Sequence, residues 1–384
     1  MSETGQQQMH IVIIGGGLVG AAAAAEAAAN GHRVTLIERS EPVPSGDAWD
    51  LRISSVHQQN VDWLRELGIW QRIPDHRQRA YHSLSVQSLD QQRVTFAASE
   101  AGTEALGAMV ENNALQYALW QWLATQKRVT CITGATLQAV DWSQRLATLD
   151  DQQQVPFDLL LGADGAQSSV AKLAGISARG WDYDMRCLLA IVTTEQPVAA
   201  ATWEIFRPCG PYALLPLDDH QACLIDYRDN QSWMALETGG QDQVERELQD
   251  VFAPALGSFR LQSAASFPLR RQRALHYHSH DCVALVGDAA HSIHPLAGQG
   301  VNLGFGDVRQ LLESLRELEM PAALADYEQK RLAVNQRMMR AMDAIHLGFR
   351  SRHLLPRALV SLSLTAATRI APLKRRIIRA AMGD

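Results

Sequence analysis

The sequence has few of the features that mark secreted, metal-binding or membrane-spanning proteins. Its five cysteines, Cys131, Cys187, Cys209, Cys223 and Cys282, include no Cys-x-x-Cys pair. Their spacing disfavours a metal site and predicts reduced thiols in a cytoplasmic protein. No uninterrupted apolar run reaches the roughly 18 residues that a bilayer-spanning helix requires. The polar start MSETGQQQ is not typical of a signal peptide.

Excess positive charge is also missing. The formal net charge is −6, which disfavours general binding to nucleic acid. Three histidines alternate at His276, His278 and His280, but no cysteine or carboxylate cluster accompanies them, so we predict no metal site there. What is present is a 47% hydrophobic content over 384 residues, enough for a large core.

The most informative stretch is residues 10–39, HIVIIGGGLVGAAAAAEAAANGHRVTLIER. A short apolar strand leads into a G-x-G-x-x-G segment, which opens an Ala-rich helix followed by a second strand ending at Glu38. Gly15 permits the tight turn, Gly17 lets a pyrophosphate approach the backbone, and Gly20 lets helix and strand pack closely. Glu38 can bind a ribose diol and disfavours a 2′-phosphate. The segment therefore predicts a site for FAD or NAD rather than NADP.

Two further segments follow predicted strands and precede predicted helices. Residues 162–170 read GADGAQSSV, and residues 287–302 read GDAAHSIHPLAGQGVN. Asp288, at a strand end, can bind the hydroxyl groups of an extended ribityl chain. The start of the helix near residues 298–302 offers N–H groups that stabilise negative charge.

The order of predicted elements indicates an α/β (α+β) protein with interleaved domains. An FAD-binding Rossmann-like domain is predicted from residues 1–75, 100–180 and 276–350. A β-sheet substrate domain is predicted from residues 76–99 and 181–275. C-terminal helices complete the chain, and residues 351–384 form a predicted basic amphipathic tail.

These three segments together resemble those of the single-component FAD-dependent aromatic hydroxylases, whose fold is that of p-hydroxybenzoate hydroxylase. The resemblance covers residues 9–350. GDAAHSIHPLAGQGVNLG is similar to the hydroxylases of ubiquinone biosynthesis. Residues 109–123, 175–187 and 202–217 are most similar to the branch that acts on demethoxyubiquinol, 2-polyprenyl-3-methyl-6-methoxy-1,4-benzoquinol.

The resemblance implies a set of cofactor-binding residues. Glu38 and the three glycines hold the ADP half of FAD, and Arg39 lies near the adenosine. Arg52 lies on a loop facing the flavin, and Asp164 with Gly165 supports FAD and is implicated in NAD(P)H binding. The remaining residues surround the ribityl chain and the flavin ring: Gly287, Asp288, Pro295, Gly298, Gln299, Gly300, Val301 and Asn302.

The activity implied by the resemblance is hydroxylation of an aromatic ring with NAD(P)H and O2 as co-substrates, through a flavin C4a-hydroperoxide. The alternatives are a hydroxylase of another ubiquinone intermediate or of a soluble phenol, and a non-catalytic scaffold in a biosynthetic complex. No catalytic acid or base stands out, although His291, His294 and Pro295 are candidates. Apolar strands could form the wall of the substrate pocket through Trp203, Phe206, Tyr212, Leu214 and Pro216.

Two positions depart from the family pattern. Gly306 stands where relatives usually carry arginine, and Asn112 or Asn113 stands where many carry arginine on the flavin-side helix. Either departure could weaken FAD retention.

The tail carries seven basic side chains and one carboxylate, Asp384. Leucine, isoleucine and valine recur among them at roughly helical spacing. Such a stretch is typical of attachment to a membrane surface or a partner, and equally of packing on the protein's own core. A polyprenyl substrate favours the first interpretation and predicts a peripheral location at the inner membrane surface.

Overall fold

The computed structural model describes residues 8–88, 93–207, 209–292 and 299–350. Its helices are α1 (Leu18–Ala29), α2 (Gln58–Glu66), α3 (Asn112–Leu123), α4 (Ser169–Leu173), α5 (Asn230–Thr238), α6 (Gln241–Leu256), α7 (Gln299–Glu317) and α8 (Met320–Arg350).

The strands of the first half are β1 (His10–Ile14), β2 (Arg33–Glu38), β3 (Ile53–His57), β4 (Gln78–Tyr81), β5 (Ser83–Ser88), β6 (Val94–Ala97), β7 (Gly107–Glu111), β8 (Val129–Thr133), β9 (Leu137–Asp141), β10 (Leu146–Leu149), β11 (Gln154–Pro156) and β12 (Leu159–Gly162). Those of the second half are β13 (Ala178–Thr194), β14 (Ala201–Phe206), β15 (Tyr212–Pro216), β16 (Gln221–Asp229), β17 (Phe259–Ala274), β18 (His278–Ser279), β19 (Val283–Leu285) and β20 (His291–Ser292).

A six-stranded sheet in the order β18-β19-β12-β1-β2-β8 forms the first layer. Its last five strands run parallel, and β18 is an antiparallel edge. Helices cover strands of this kind on both faces, which explains the uninterrupted apolar run in β1. In α1, seven small residues from Gly20 to Ala27 are buried, so that the helix lies close against the sheet.

An eight-stranded sheet in the order β20-β17-β13-β16-β15-β14-β5-β6 forms the second layer. Its pairings are antiparallel except for β14 with β5. Phe252 of α6 packs on one face, with Trp233 of α5 in the same cluster of buried residues. Two three-stranded sheets, β3-β7-β4 and β11-β10-β9, complete the strands.

The mixed α/β fold class predicted from the sequence is confirmed. Strand pairing refines the picture at residues 76–99: β5 and β6 join the eight-stranded sheet, whereas β4 pairs with β7. The domain boundaries themselves stay a prediction, and the tail at 351–384 lies outside the described residues. No helix within the described ranges is long and apolar enough to cross a membrane.

Candidate active site

The carboxyl ends of neighbouring parallel strands bring the three sequence segments together. β1 ends at Ile14 and runs into Gly15, β2 ends at Glu38, and β12 ends immediately before Ala163 and Asp164. β19 lies beside β12 and leads to Asp288. Parallel strands place these ends along one edge of the sheet, where ligands of open α/β sheets bind.

A continuous slot with a volume of about 700 Å³ follows that edge. Ten predicted cofactor-binding residues line it, from all three segments and the loop after β2: Gly15, Gly17, Glu38, Arg39, Arg52, Asp164, Gly165, Asp288, Gly300 and Val301. Its polar groups are therefore distributed along this edge of the sheet rather than gathered at one point.

Three other predicted residues lie behind the slot. A Cβ atom on Gly20 would lie 1.8 Å from the Gly15 carbonyl oxygen, so Gly20 permits close packing. Gly287 donates its N–H to Asp307 Oδ2 at 3.1 Å. The Asn302 amide accepts from the His57 N–H at 2.9 Å and donates to the Ser55 carbonyl at 2.7 Å, which ties α7 to β3.

Pro295, Gly298 and His294 lie outside the described residues, as does the side chain of Gln299. His291 is among the described residues, but it lines neither this slot nor the cavity that adjoins it. Its Nε2 lies 2.5 Å from Asp307 Oδ2. Burial raises the pKa of the Asp307 carboxyl, but the charges of His291 and Arg331 outweigh burial and hold that pKa at about 2. The geometry gives His291 a hydrogen-bonding partner, Asp307, and does not place it among the residues that line the site.

The glycine loop is held from two sides. The Gly16 N–H donates to Glu38 Oε2 at 2.5 Å. The Gly16 carbonyl oxygen accepts hydrogen bonds from Trp120 Nε1 and from Gln116 Nε2, each at 2.8 Å. Sequence reasoning did not identify Trp120 or Gln116, which both lie on α3.

FAD fits the groups that line the slot. Gly17 forms the N-terminal cap of α1, which has no side-chain cap, and an added Cβ there would meet no atom within 4 Å. An uncapped helix N-terminus with open space before it binds phosphate groups. Asp164 Oδ1 is buried without a hydrogen-bond partner among the described residues. The Asp288 side chain is exposed and lines the slot, where its carboxylate oxygens can accept hydrogen bonds from ribityl hydroxyls.

The asparagine departures have local partners. Ser54 donates its hydroxyl to Asn112 Oδ1 at 2.6 Å, and Asn113 donates to Asp50. Asp50 also accepts from the Arg52 N–H at 2.9 Å. These asparagines therefore hold the segment that carries Arg52, a cation that already lines the slot.

A second cavity of about 450 Å³ adjoins the slot, and Arg52 and Asp288 line both. Apolar side chains dominate its wall: Leu84, Met109, Leu189, Ala213, Leu215, Ile225, Phe267 and Leu269. Polar and charged side chains share the wall, among them Glu204, Tyr81, Tyr227, His57 and Arg270. A chamber that combines apolar walls with hydrogen-bonding groups beside a cofactor slot is suited to an aromatic ring.

The predicted substrate residues meet this cavity only in part. Trp203 lines it, although its ring also packs on Phe252 with centroids 5.8 Å apart. Tyr212 and Leu214 join the core against α6, and the lining residues of β15 are the alternate ones, Ala213 and Leu215.

The period of two along a strand puts Pro216 on the same side as Tyr212 and Leu214. Phe206 packs with Met185, Tyr227 and Leu269 behind the wall. Phe206, Tyr212, Leu214 and Pro216 are therefore not among the residues that line the cavity. For the three residues of β15, the reason is that they lie on the face opposite Ala213 and Leu215. Glu204 was missed, although it is the single charge in the run ATWEIF.

The chain belongs to the family described as "FAD binding domain", whose model matches residues 8–342. It is 38% identical to the 3-demethoxyubiquinol 3-hydroxylase of Escherichia coli (strain K12), with 93% of this chain and 94% of that protein covered. It is 33% identical to the ubiquinone hydroxylase UbiL of Rhodospirillum rubrum, with 93% and 85% covered. p-Nitrophenol 4-monooxygenase PnpA from Pseudomonas putida DLL-E4 shares the fold, with a TM-score of 0.79, 18% identity and coverage of 97% and 98%.

Proposed function

We propose that this protein is an FAD-dependent monooxygenase of ubiquinone biosynthesis. Its substrate is the quinol ring of 2-polyprenyl-3-methyl-6-methoxy-1,4-benzoquinol, and NAD(P)H and O2 are co-substrates. The observation that carries the proposal is the junction at Arg52 and Asp288, where the slot lined by the glycine loop and Glu38 meets a largely apolar cavity. The 38% identity to a 3-demethoxyubiquinol 3-hydroxylase supports the choice of ring.

Some residues of the site bind the cofactor, and others exclude water from the substrate ring. Bound FAD supplies electron transfer from NAD(P)H and activation of O2. The N-terminus of α1 and Gly17 bind the pyrophosphate, while Glu38 binds the ribose and Asp288 the ribityl hydroxyls. The apolar wall formed by residues such as Leu215 and Phe267 packs on the ring and keeps water from the reacting atoms.

Complementation tests the substrate directly. We expect the gene, expressed in an E. coli strain that lacks 3-demethoxyubiquinol 3-hydroxylase, to restore ubiquinone and remove the accumulated demethoxyubiquinone. The matched control is Gly17→Ala, expressed at the same level and expected to fail. Persistent demethoxyubiquinone with well-expressed wild-type protein would reject this ring, and repair of a strain blocked at an earlier hydroxylation would assign the other intermediate. Purified protein without yellow flavin would favour a scaffold.

We also propose that residues 351–384 attach the protein to a membrane surface. Their seven basic side chains attract anionic headgroups, and their apolar residues can enter the lipid interface. Co-sedimentation with anionic liposomes tests this proposal for the full chain, for a truncation after Arg350, and for a full-length variant with the seven basic residues changed to glutamine. Undiminished sedimentation of the truncated protein would assign the attachment elsewhere.

A further inference from the structure

The buried acids of the described residues differ in one respect. Four acidic side chains are buried, and three of them have basic partners. The paired acids are Glu111 with Arg77, Asp226 with Arg207 and Arg228, and Asp307 with His291 and Arg331. Such pairing offsets the desolvation of a buried charge. The fourth acid is Glu204.

Glu204 occupies the middle of β14, between Val86 of β5 and Ala213 of β15. Only 7% of the residue is exposed, and it lines the apolar cavity. Its Oε1 atom is buried and has no hydrogen-bond partner among the described residues. A buried polar atom of this kind requires an explanation, since leaving it unpaired destabilises the folded protein.

Two hydroxyl groups of the cavity already have partners. The Thr202 hydroxyl donates to the Leu214 carbonyl at 2.7 Å, and the Ser55 hydroxyl donates to the Tyr81 hydroxyl at 3.0 Å. Glu204 therefore offers hydrogen-bonding capacity toward a molecule in the cavity that these two hydroxyls do not.

Burial alone raises the pKa of Glu204 to about 8. At neutral pH the carboxyl is mostly protonated, so that one oxygen donates a hydrogen bond and the other accepts one. A ring hydroxyl is likewise both a donor and an acceptor. The two groups are chemically complementary, whereas the surrounding Leu215, Ile225 and Phe267 contribute only apolar contacts.

We propose that Glu204 binds a ring hydroxyl of the substrate and so fixes the orientation of the ring in the cavity. The inference rests on the proposed function, because it assigns the quinol to this cavity. It makes Glu204 a determinant of specificity for hydroxylated rings over etherified ones. A site built to hydrogen-bond a hydroxyl discriminates strongly against an analogue that lacks it.

A thermodynamic cycle tests the contact. The oxidised holoenzyme, without NAD(P)H and without oxygen, is titrated with a single-prenyl analogue of the quinol and with its dimethyl ether. We expect wild-type protein to bind the quinol at least tenfold more tightly than the ether, and Glu204→Leu to reduce that ratio to about twofold. The matched control, Thr202→Val, changes a neighbouring residue of the same wall and should keep the wild-type ratio.

A second measurement uses a nearly isosteric variant, in case Glu204→Leu does not fold. The infrared carbonyl stretch of a protonated carboxyl, identified by its loss in Glu204→Gln, should shift when the quinol binds and stay fixed with the ether. An unchanged binding ratio in Glu204→Leu, or an unshifted band, would overturn the role of Glu204 and leave the proposed function intact. Failure of the wild-type protein to bind the quinol would overturn both.

Discussion

The guanidinium of Arg331 fills the space beside Gly306. A Cβ atom on Gly306 would lie 2.9 Å from Arg331 Nη2, so a larger residue there requires Arg331 to move. Arg331 donates from Nε to Asp307 Oδ1 at 2.7 Å and from Nη2 to the Leu303 carbonyl at 3.0 Å. The guanidinium of α8 therefore occupies the space that a side chain at position 306 of α7 would need.

The first prediction concerns the contact between Arg331 and Asp307. We expect Arg331→Met to lower the free energy of unfolding by about 1.5–3 kcal/mol, because it removes one of the two basic partners of the buried Asp307 and leaves only His291. Chemical denaturation of the holoenzyme measures the loss. Arg337→Met, on an exposed turn of the same helix, should change stability by less than about 0.5 kcal/mol. Equal losses in the two variants would contradict the assignment.

Gly306→Ala gives a companion prediction. The new methyl group overlaps the guanidinium, and we expect a loss of roughly 1–3 kcal/mol from overpacking. The same change in an Arg331→Met background should cost less, because the competing group is gone. Additive losses would show that the two positions do not share space.

Gly17 gives a prediction about the cofactor. Gly17 has an extended backbone with φ of −66° and open space around a potential Cβ, so Gly17→Ala should fold with a change of about 1 kcal/mol or less. The methyl group points toward the path of the pyrophosphate, and we expect FAD to bind at least tenfold more weakly. Flavin fluorescence titration of the apoprotein measures affinity. Gly46→Ala, in an exposed loop, is the control, and equal FAD affinity in both variants would contradict the prediction.

Trp120 gives a prediction about the support of the glycine loop. Trp120→Phe removes the hydrogen bond to the Gly16 carbonyl, and we expect a stability loss of about 1 kcal/mol together with several-fold weaker FAD binding. Trp122→Phe, two residues along α3, serves as the matched control, since no bond from its side chain to the loop is present in the structure described here. Weaker binding in Trp122→Phe alone would place the support elsewhere.

Glu204 gives a prediction about pH that does not depend on substrate. Its pKa is about 8 in the folded protein, against an ordinary value of 4.5. Between these values the unfolded chain releases a proton that the folded protein retains, so Glu204 makes the folded state less stable as pH rises.

We therefore expect Glu204→Gln to gain stability relative to wild type between pH 5 and pH 8, by on the order of a few kcal/mol. Urea denaturation at both pH values measures the gain. Glu195→Gln, at an exposed position, should show no such pH-dependent gain. A constant difference between Glu204→Gln and wild type would show that the carboxyl is ionised at both pH values.

The cofactor slot could be anticipated from the sequence because its chemistry is local. Glycines, a strand end and a helix start specify where phosphate binds, and these lie together along residues 10–39. The convergence of Asp164 and Asp288 on the same slot follows once they are placed after strands of one parallel sheet.

The substrate cavity could not be anticipated in the same way. Alternation along β15 decides whether Tyr212 or Ala213 faces the cavity, and the sequence shows the alternation without showing which face packs on α6. Glu204 is the only charged residue in its strand and lies on the face that lines the cavity. Its proposed role depends on the absence of a basic partner from β5 and β15, which the sequence does not show. The contact between Gly306 and Arg331 depends on the packing of two helices, since the residues are 25 positions apart in the chain. Neither helix alone predicts this contact.

The positions of the slot's residues along the chain also determine when FAD can bind during protein synthesis. Its walls run from Ile14 near the start of the chain to Val301. A ribosome must therefore release most of the polypeptide before every wall of the slot is present. FAD can therefore make all of its contacts only late in synthesis, after the first βαβ unit has had time to form.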